Sequence, residues 1–283
     1  MPTQSHPFVK ACLTGFALFG LASCGSLGET TGSLLVTDQD EYVIGQQFDA
    51  NLRADAAKYP LYNLSARSHQ TVKDYVDGVM KKVLDQVPSS ERPSYFDKFK
   101  VTIIDAPEIN AFAVPGGGVY VYTGILDTLR NEAELAAILA HEITHVVHHH
   151  YRVLLAQQYG VQAIVSAVGG DSSGLSRIAT GLLALKFSRV HETDSDKNGT
   201  LLSGKAGYNP LGVADFFKRM PEGTLEVLSD HPSNSTRVDA VTQQVKASTE
   251  LAALAWTDPP TNSVVRQDVR YQDRYLAMKA LIH

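Results

Sequence analysis

Two histidines and a glutamate are spaced for metal chemistry in the segment His141-Glu142-Ile143-Thr144-His145. Side chains four residues apart lie one above the other on a helix, so both imidazoles can reach one ion. Glu142, next to the first histidine, can then reach a water on that ion. Zn²⁺ lowers the pKa of such a water from about 15.7 to about 7, so a carboxylate can accept its proton near neutral pH. The pattern predicts a hydrolytic zinc site with His141 and His145 as ligands and Glu142 as general base; a buried helix that merely contains two histidines is the alternative.

The third zinc ligand is left open by this segment, although a catalytic zinc generally has three protein ligands. A glycine at 148 and a histidine at 151 would continue the metzincin pattern, but these positions hold His148 and Tyr151, which excludes that class. His149 lies on the ligand face of a continuous helix, a full turn beyond His145. We expect His148, His149 and His150 to be helix-end residues rather than ligands.

A better source of the third ligand lies 47 residues beyond His145, where Glu192 and Asp196 are four apart and share a helix face. One carboxylate can bind the metal while the other accepts the N–H of a ligating imidazole. By spacing alone, the pair is equally compatible with a solvated acidic face. His191 is a rival ligand, but it points about 100° away from the Glu192–Asp196 face.

The elements that must position these residues are mostly helices. Helical periodicity predicts helices over 41–58, 68–87 and 131–150, with Asn131 as the N-cap of the last. Shorter alternating runs predict strands at 100–104, 111–114 and 119–122, the last two flanking a Pro-Gly-Gly-Gly bend. A helical region at 163–203 is interrupted by the Gly-rich segment 169–174, and further helices follow from 209 and over 235–248.

The first 24 residues predict export and lipidation. Lys10 precedes a run of small and apolar residues, 11–22, which is about half the ~20 residues that a membrane-spanning helix needs. The run ends at Leu21-Ala22-Ser23-Cys24, which resembles the lipobox of bacterial lipoproteins, in which the cysteine is acylated. A plain secretory signal cut elsewhere and a short buried helix are the alternatives. We predict a signal peptide at 1–23, a lipidated tether at 24–40, a catalytic domain at 41–250 and a C-terminal tail at 251–283.

The composition is that of an ordinary globular protein, with 283 residues, 44% of them hydrophobic and a formal charge of −5. The charge is spread along the chain, and the absence of a basic patch argues against nucleic acid as a partner. Of the two cysteines, Cys12 lies in the predicted signal and Cys24 is the predicted lipidation site, so we expect no disulfide in the mature chain. The sequence does not indicate an oligomeric state.

Several motifs in one order carry a family resemblance. The pattern H-E-x-x-H followed by E-x-x-x-D resembles the CAAX-prenyl-protease/HtpX-like gluzincins, family forty-eight of the metallopeptidases, in their short bacterial lipoprotein form. Asn110-Ala111-Phe112-Ala113-Val114-Pro115-Gly116-Gly117 is similar to the N-A-F-A-x-P-G-G strand of that family, and Ser188-Arg189 precedes Glu192 as in its S-R-x-x-E motif. Asp230-His231-Pro232 with Arg237 is similar to its S/T-H-P-x-x-x-x-R element.

The resemblance implies roles for particular residues. It makes His141, His145 and Glu192 the ligands of one Zn²⁺ and Glu142 the general base, with Asp196 supporting a ligand from outside the metal's own shell. His231 would face the zinc, either stabilising an oxyanion or occupying the open position in a latent state. Arg237 is expected to brace that loop.

The resemblance further implies an α+β, zincin-like fold, mostly helical, with a small sheet whose edge strand lines the cleft. That edge is 111–114 or 119–122, and an extended peptide could add to it through backbone hydrogen bonds, at Asn110, Ala111, Phe112 and Ala113. The expected activity is zinc-dependent endoproteolysis of unfolded or misassembled envelope proteins, at the outer membrane facing the periplasm. The alternative is a chaperone-like outer-membrane assembly factor with a latent protease site. A structural lipoprotein with a metal kept for stability is disfavoured, since such a site needs no base.

Overall fold

The structure, a computed structural model, describes residues 35–221, 234–255 and 265–283. The predicted signal peptide, most of the tether, Cys24 and His231 lie outside these ranges. The strands, in chain order, are β1 Lys100–Ile104, β2 Ala111–Val114 and β3 Gly118–Tyr122. The α-helices are α1 Asp38–Ala54, α2 Arg67–Leu84, α3 Thr123–Thr128, α4 Glu132–Val147, α5 His150–Tyr159, α6 Val161–Val168, α7 Ser172–Gly181, α8 Arg189–Lys205, α9 Gly212–Phe217, α10 Asn234–Ala247, α11 Thr249–Leu254 and α12 Val265–Lys279.

The three strands form a mixed sheet in the order β1-β3-β2. β3 pairs in parallel with β1, from Lys100 opposite Gly118 to Ile104 opposite Tyr122, and antiparallel with β2. The middle position belongs to β3, so the predicted edge at 119–122 is wrong and β2 is the edge strand on the site's side. The fold is α+β and zincin-like, as predicted.

The turn between β2 and β3 depends on glycine. Gly116 and Gly117 have φ of 86° and 88°, a region that residues with a Cβ rarely adopt. A Cβ on Gly116 would also lie 3.0 Å from the Cα of Tyr42, and one on Gly117 would lie 3.1 Å from the Cα of Phe99. The sharp bend that the Pro-Gly-Gly-Gly run predicts is therefore packed closely against α1 and the segment before β1.

Strand alternation divides the core into two layers, one on each face of the sheet. Val119 and Val121 face one cluster together with α2 and α4, while Tyr120 and Tyr122 face the other together with α1, α5 and α7. Helix α4 lies under the first face and is buried nearly all round, which is why its sequence is apolar on more than one side. The sheet and α4 thus form the packed base that positions the residues of the site.

The N-terminus of α4 is held as its sequence predicts. The Asn131 side chain accepts a hydrogen bond from the backbone N–H of Glu134 at 3.0 Å and caps the helix. Glu132 is fully buried and accepts hydrogen bonds from the hydroxyls of Tyr75 and Tyr208, each at 2.6 Å. The carboxylates of Glu132 and Glu134, both in the first turn, are stabilised by the positive end of the helix dipole.

Helix boundaries differ from prediction in two places that matter for the site. The helix expected over 131–150 ends at Val147, because His149 adopts a left-handed conformation with φ 55° and starts a new helix, α5. The helix expected to continue through 203 stops after Gly181 and restarts at Arg189, with a short 3₁₀ turn and an extended stretch between. Each break redirects side chains that a continuous helix would have pointed elsewhere.

The predicted domain limits at 41 and 250 do not coincide with the limits of packing. Helix α1 begins at Asp38, capped by the Thr37 side chain, and ends at Ala54 rather than near 58. Beyond 250, Tyr275 is fully buried and its hydroxyl donates to the carbonyl of Leu126 at 2.6 Å. The C-terminal helix is therefore part of the core, to which it contributes the buried side chains of Tyr275 and Met278. Within the described ranges, no helix combines the length and the apolarity needed to cross a bilayer.

Candidate metal centre

Three side chains from two helices meet at one point. The Nε2 atoms of His141 and His145, one turn apart on α4, are 3.1 Å from each other. The two carboxylate oxygens of Glu192, from the first turn of α8, lie 3.4 Å from His141 Nε2 and 3.4 Å from His145 Nε2. All three side chains are buried. Tertiary structure thus brings Glu192 to the two histidines rather than leaving it on a solvated face.

The spacing of these donor atoms fits a zinc ion. Zinc binds histidine nitrogen and carboxylate oxygen at about 2.0–2.2 Å in tetrahedral geometry, which separates neighbouring donors by roughly 3.3 Å. The observed separations of 3.1 and 3.4 Å match that requirement. Two imidazoles and one carboxylate with a remaining open position are the donor set of a catalytic rather than a structural zinc. The residues present therefore fit the metal.

Close packing of α8 on α4 makes this meeting possible. Ser188 caps α8 by accepting a hydrogen bond from the backbone N–H of His191, which places Glu192 in the first turn. Seven residues on, Gly199 touches α4 directly, and a Cβ there would lie 2.9 Å from the backbone nitrogen of His141. Any side chain at 199 would push the helices apart and carry Glu192 away from the histidines.

Asp196, one turn beyond Glu192, holds the other side of His141. Its Oδ1 lies 3.1 Å from His141 Nδ1, which leaves Nε2 to face the metal position. Although burial opposes ionisation, the guanidinium of Arg237 and the ring of His141 lower the pKa of Asp196. Burial also lowers the pKa of His141, but hydrogen bonds to Asp196 and Glu192 outweigh it and raise that pKa to about 10. Without a metal, both ring nitrogens of His141 are therefore protonated at neutral pH, and the ring carries a positive charge.

Arg237, on α10, binds Asp196 with two nitrogens. Its Nε and one terminal nitrogen donate to the two carboxylate oxygens at 2.7 and 2.6 Å, and the guanidinium lies over the ring of Phe217 at 4.0 Å. The side chain is buried. Arg237 thus orients Asp196, which in turn orients His141. The family resemblance implied that Arg237 braces a loop and, like Asp196, supports the site from outside the metal's own shell.

His145 has supports that sequence reasoning missed. Its ring stacks on Phe187 at a centroid distance of 3.9 Å, and its Nδ1 lies 3.0 Å from Nδ1 of His150. His150, expected to be a helix-end residue rather than a ligand, begins α5 and also contacts this ligand. It reaches His145 because the chain turns at His149, and a five-residue spacing on a straight helix would not have revealed it. His149 itself points away and lies 2.8 Å from Glu41.

Glu142 lies between the metal ligands and the edge strand. Its Oε2 accepts a hydrogen bond from the backbone N–H of Ala113 at 2.9 Å. Burial is the main reason that the pKa of Glu142 rises to about 7, the proximity of Glu192 adding to it. A carboxylate that titrates near neutrality is suited to accept a proton and return it.

The edge strand offers fewer free bonding groups than its sequence suggests. The N–H of Ala113 is taken by Glu142, and its carbonyl accepts a hydrogen bond from the hydroxyl of Tyr151 at 2.7 Å. Phe112 points to the opposite layer, where it stacks on Tyr120 at 4.9 Å. Of the four residues expected to contact an added peptide strand, Asn110 and Ala111 line the cleft beside the site.

That cleft contains an apolar pocket next to the reacting groups. His141, Glu142 and Arg237 form its polar side, and aliphatic and aromatic side chains complete it, namely Ile125, Ile138, Val213 and Phe217. A substrate side chain placed here would lie beside the carboxylate of Glu142. His191, the rival ligand, is not among the residues that line this pocket; its ring stacks on that of His150 at a centroid distance of 4.6 Å.

Comparison with known proteins agrees with this geometry. The sequence model of peptidase family M48 matches residues 72–245, which include every residue of the site described above. The chain belongs to peptidase family M48. Members of this family are zinc-dependent metalloproteases, and the clustered His141, His145 and Glu192 are a group that could hold such a metal.

The curated relatives of this M48 chain carry the names of a metalloendopeptidase and of a protease. Mitochondrial metalloendopeptidase OMA1 of Schizosaccharomyces pombe is 33% identical over 208 residues, which are 69% of this chain and 60% of the relative. The beta-barrel assembly-enhancing protease of Escherichia coli is 25% identical over 233 residues, 75% of this chain and 45% of the relative. This chain thus spans about half the length of the curated relatives that it matches.

Proposed function

We propose that this chain is a zinc-dependent endopeptidase that hydrolyses peptide bonds of unfolded or misassembled envelope proteins. The observation that carries the proposal is the convergence of His141, His145 and Glu192 at zinc-ligand spacing, with the carboxyl of Glu142 beside them. Membership of family M48 supports the same reaction. When bound, the zinc supplies Lewis acidity that polarises the peptide carbonyl and acidifies water.

The residues of the chain divide the remaining work. Glu142 accepts the proton of the attacking water and later gives it to the nitrogen of the leaving amine, so that the carboxylate is regenerated. The N–H of Ala113 holds Glu142 in place. Asp196 and Arg237 keep His141 in the tautomer that presents Nε2 to the metal. His231, by its resemblance to the family pattern, is proposed as the group that stabilises the oxyanion or closes the site in a latent state.

An extended, unfolded chain is the form of substrate that the cleft favours. A peptide lying along Asn110 and Ala111 would run beside the ligands, and an apolar residue next to the scissile bond would fill the pocket of Ile125, Ile138 and Val213. Apolar residues are exposed in unfolded proteins and buried in folded ones. The proposed lipid on Cys24 would keep the domain at the outer membrane, where misassembled envelope proteins accumulate.

A chaperone-like role in outer-membrane assembly, with the protease latent, is the second candidate. It is favoured by the 25% identity to a protein named for enhancing beta-barrel assembly. The two candidates differ in their dependence on Glu142. Replacing this residue abolishes a proteolytic effect and leaves an effect of binding alone intact.

The test is casein degradation by the full, untagged chain, with zinc content determined for each variant. We expect wild type to cleave casein, Glu142→Gln to retain zinc and lose at least ~10²-fold in rate, and the exposed-site control Glu250→Gln to match wild type. Activity in His231→Ala but not in wild type would identify a latent enzyme. Casein cleavage by Glu142→Gln at the wild-type rate would refute the assigned base, and the absence of both zinc and activity in every variant would refute the peptidase.

A further inference from the structure

A second group of metal-type ligands lies on the far side of His150 from the centre described above. It comprises His148, His150 and Asp194, and we refer to it as the His148 cluster. One carboxylate oxygen of Asp194, Oδ2, lies 2.5 Å from Nδ1 of His148 and 3.2 Å from Nε2 of His150. We propose that the His148 cluster is a second zinc site, and that its occupation opposes binding of the catalytic zinc.

The donor set is one that zinc accepts. Two imidazole nitrogens and a carboxylate oxygen lie within 4.8 Å of one another, and a tetrahedral zinc needs neighbouring donors at roughly 3.3 Å. The separation between His150 and Asp194 already meets this value, while that between His148 and Asp194 has to widen by ~0.8 Å. Both side chains are partly exposed, so they have room to rotate.

The surroundings hold each ligand in a suitable orientation. The Nε2 of His148 lies 3.5 Å from a carboxylate oxygen of Glu91, a partner that favours a proton on Nε2 and leaves Nδ1 free to bind metal. The other oxygen of Asp194 accepts a hydrogen bond from the side chain of Asn198 at 2.9 Å. The ring of His150 is stacked on that of His191. These contacts are the kind of support that built metal sites show around their ligands.

The cluster is also open to solution on one side. The side chains of His148 and Asp194 are 22% and 35% exposed, whereas that of His150 is 8% exposed. A metal can therefore enter past His148 and Asp194, and a water can complete its coordination. The neighbouring group of Asp38, Glu41 and His149 differs, because the guanidinium of Arg152 already contacts both of its carboxylates.

His150 links the two centres through a single proton. To bind the catalytic zinc through Nε2, His145 must carry its proton on Nδ1 and donate it to Nδ1 of His150, 3.0 Å away. His150 then carries its own proton on Nε2 and donates to Asp194. A metal on Nε2 of His150 requires the opposite tautomer, so two N–H groups would face each other between His145 and His150. Both metals can bind together only when that contact breaks, so each metal weakens the affinity for the other; this coupling rests on the proposed function.

The test counts zinc on the untagged full chain, stripped with chelator and titrated with Zn²⁺, by native mass spectrometry. We expect two zinc ions on wild type, one on His148→Gln and one on Glu192→Gln. His283→Gln serves as a matched control, because His283 also contacts an aspartate, Asp127 at 2.7 Å, but does not belong to the cluster; this variant should bind two zinc ions.

Either of two counts would overturn the second site: a single zinc on wild type at saturation, or two on His148→Gln. These outcomes do not depend on peptidase activity, so they are separable from failure of the proposed function. The coupling is tested by casein cleavage at rising zinc. Zinc beyond one equivalent should slow wild type and His283→Gln but not His148→Gln, and equal inhibition of all three would refute the coupling.

Discussion

Replacing Glu142 with glutamine should stabilise the zinc-free chain, by an amount that grows as the pH rises from 4.5 and is complete above about 7. In the folded chain, burial raises the pKa of Glu142 from 4.5 to about 7. Glutamine has a similar shape and keeps an oxygen that can accept the hydrogen bond from Ala113. The substitution therefore removes the buried charge while leaving the contact that positions the side chain.

The sign and size follow from the difference between the folded and unfolded pKa values. Below pH 4.5 the carboxyl is protonated in both states, so it contributes no difference in stability. Between pH 4.5 and 7 the unfolded chain ionises first, which destabilises the fold progressively, and above pH 7 the full cost is present. The difference between a pKa of 4.5 and one of about 7 corresponds to about 3 kcal/mol. This is an upper limit, because the side chain is partly exposed at the cleft.

The assay is thermal unfolding of chelator-treated wild type, Glu142→Gln and Glu250→Gln at pH 5 and pH 8. For a chain of this size, up to ~3 kcal/mol raises Tm by roughly 6–12 °C. We expect Glu142→Gln to melt well above wild type at pH 8 and close to it at pH 5. The exposed Glu250 should give a change within ~0.5 kcal/mol at both values. A Tm difference that is the same at pH 5 and pH 8, or a less stable Glu142→Gln at pH 8, would refute the reasoning.

Three further outcomes are expected. Because the pKa of His141 is raised to about 10 in the zinc-free chain, zinc binding at pH 7 should release a proton, and calorimetric heats measured in buffers of different ionisation enthalpy should differ accordingly; identical heats would contradict this. Asp196→Asn should weaken zinc binding ~10–100-fold, measured by competition with a chelating dye, and undiminished affinity would show that His141 needs no such partner. Gly199→Ala should lower both Tm and zinc affinity, because its Cβ would lie 2.9 Å from the His141 backbone nitrogen. The control Gly78→Ala, in open space on α2, should instead raise Tm, because alanine replaces glycine within a helix. An unchanged Tm and zinc affinity in Gly199→Ala would mean that α8 can shift without cost.

Much of the ligand set could be predicted from local pattern. His141 and His145 are one helical turn apart, and that spacing alone places both rings on one face. Glu192 and Asp196 share a face for the same reason, but periodicity did not say whether that face meets solvent or another helix. Family resemblance, rather than spacing, selected Glu192 as the third ligand.

Breaks in regular structure were the main source of error. The pattern through His150 is continuous, so nothing in its periodicity marked the left-handed residue at His149, which has no glycine to announce it. His150 therefore went unrecognised as a neighbour of His145. The break before Arg189 was likewise not predicted, so the role of Phe187 was not recognised; this residue lies in the extended stretch and stacks on His145.

The sequence by itself determined the helical ligand pair and its base, and the three strands, because each of these depends on neighbours a few residues apart. It determined the family through several such local motifs that follow one another in one order. Tertiary structure alone decided which strand is the edge, that Arg237 binds Asp196 across 41 residues, and that His148, His150 and Asp194 converge. The physical reason is that chain periodicity fixes which face a side chain occupies, whereas the partner of that face depends on close packing between distant segments. Gly199 illustrates the difference: its absent side chain has meaning only because α4 lies against it.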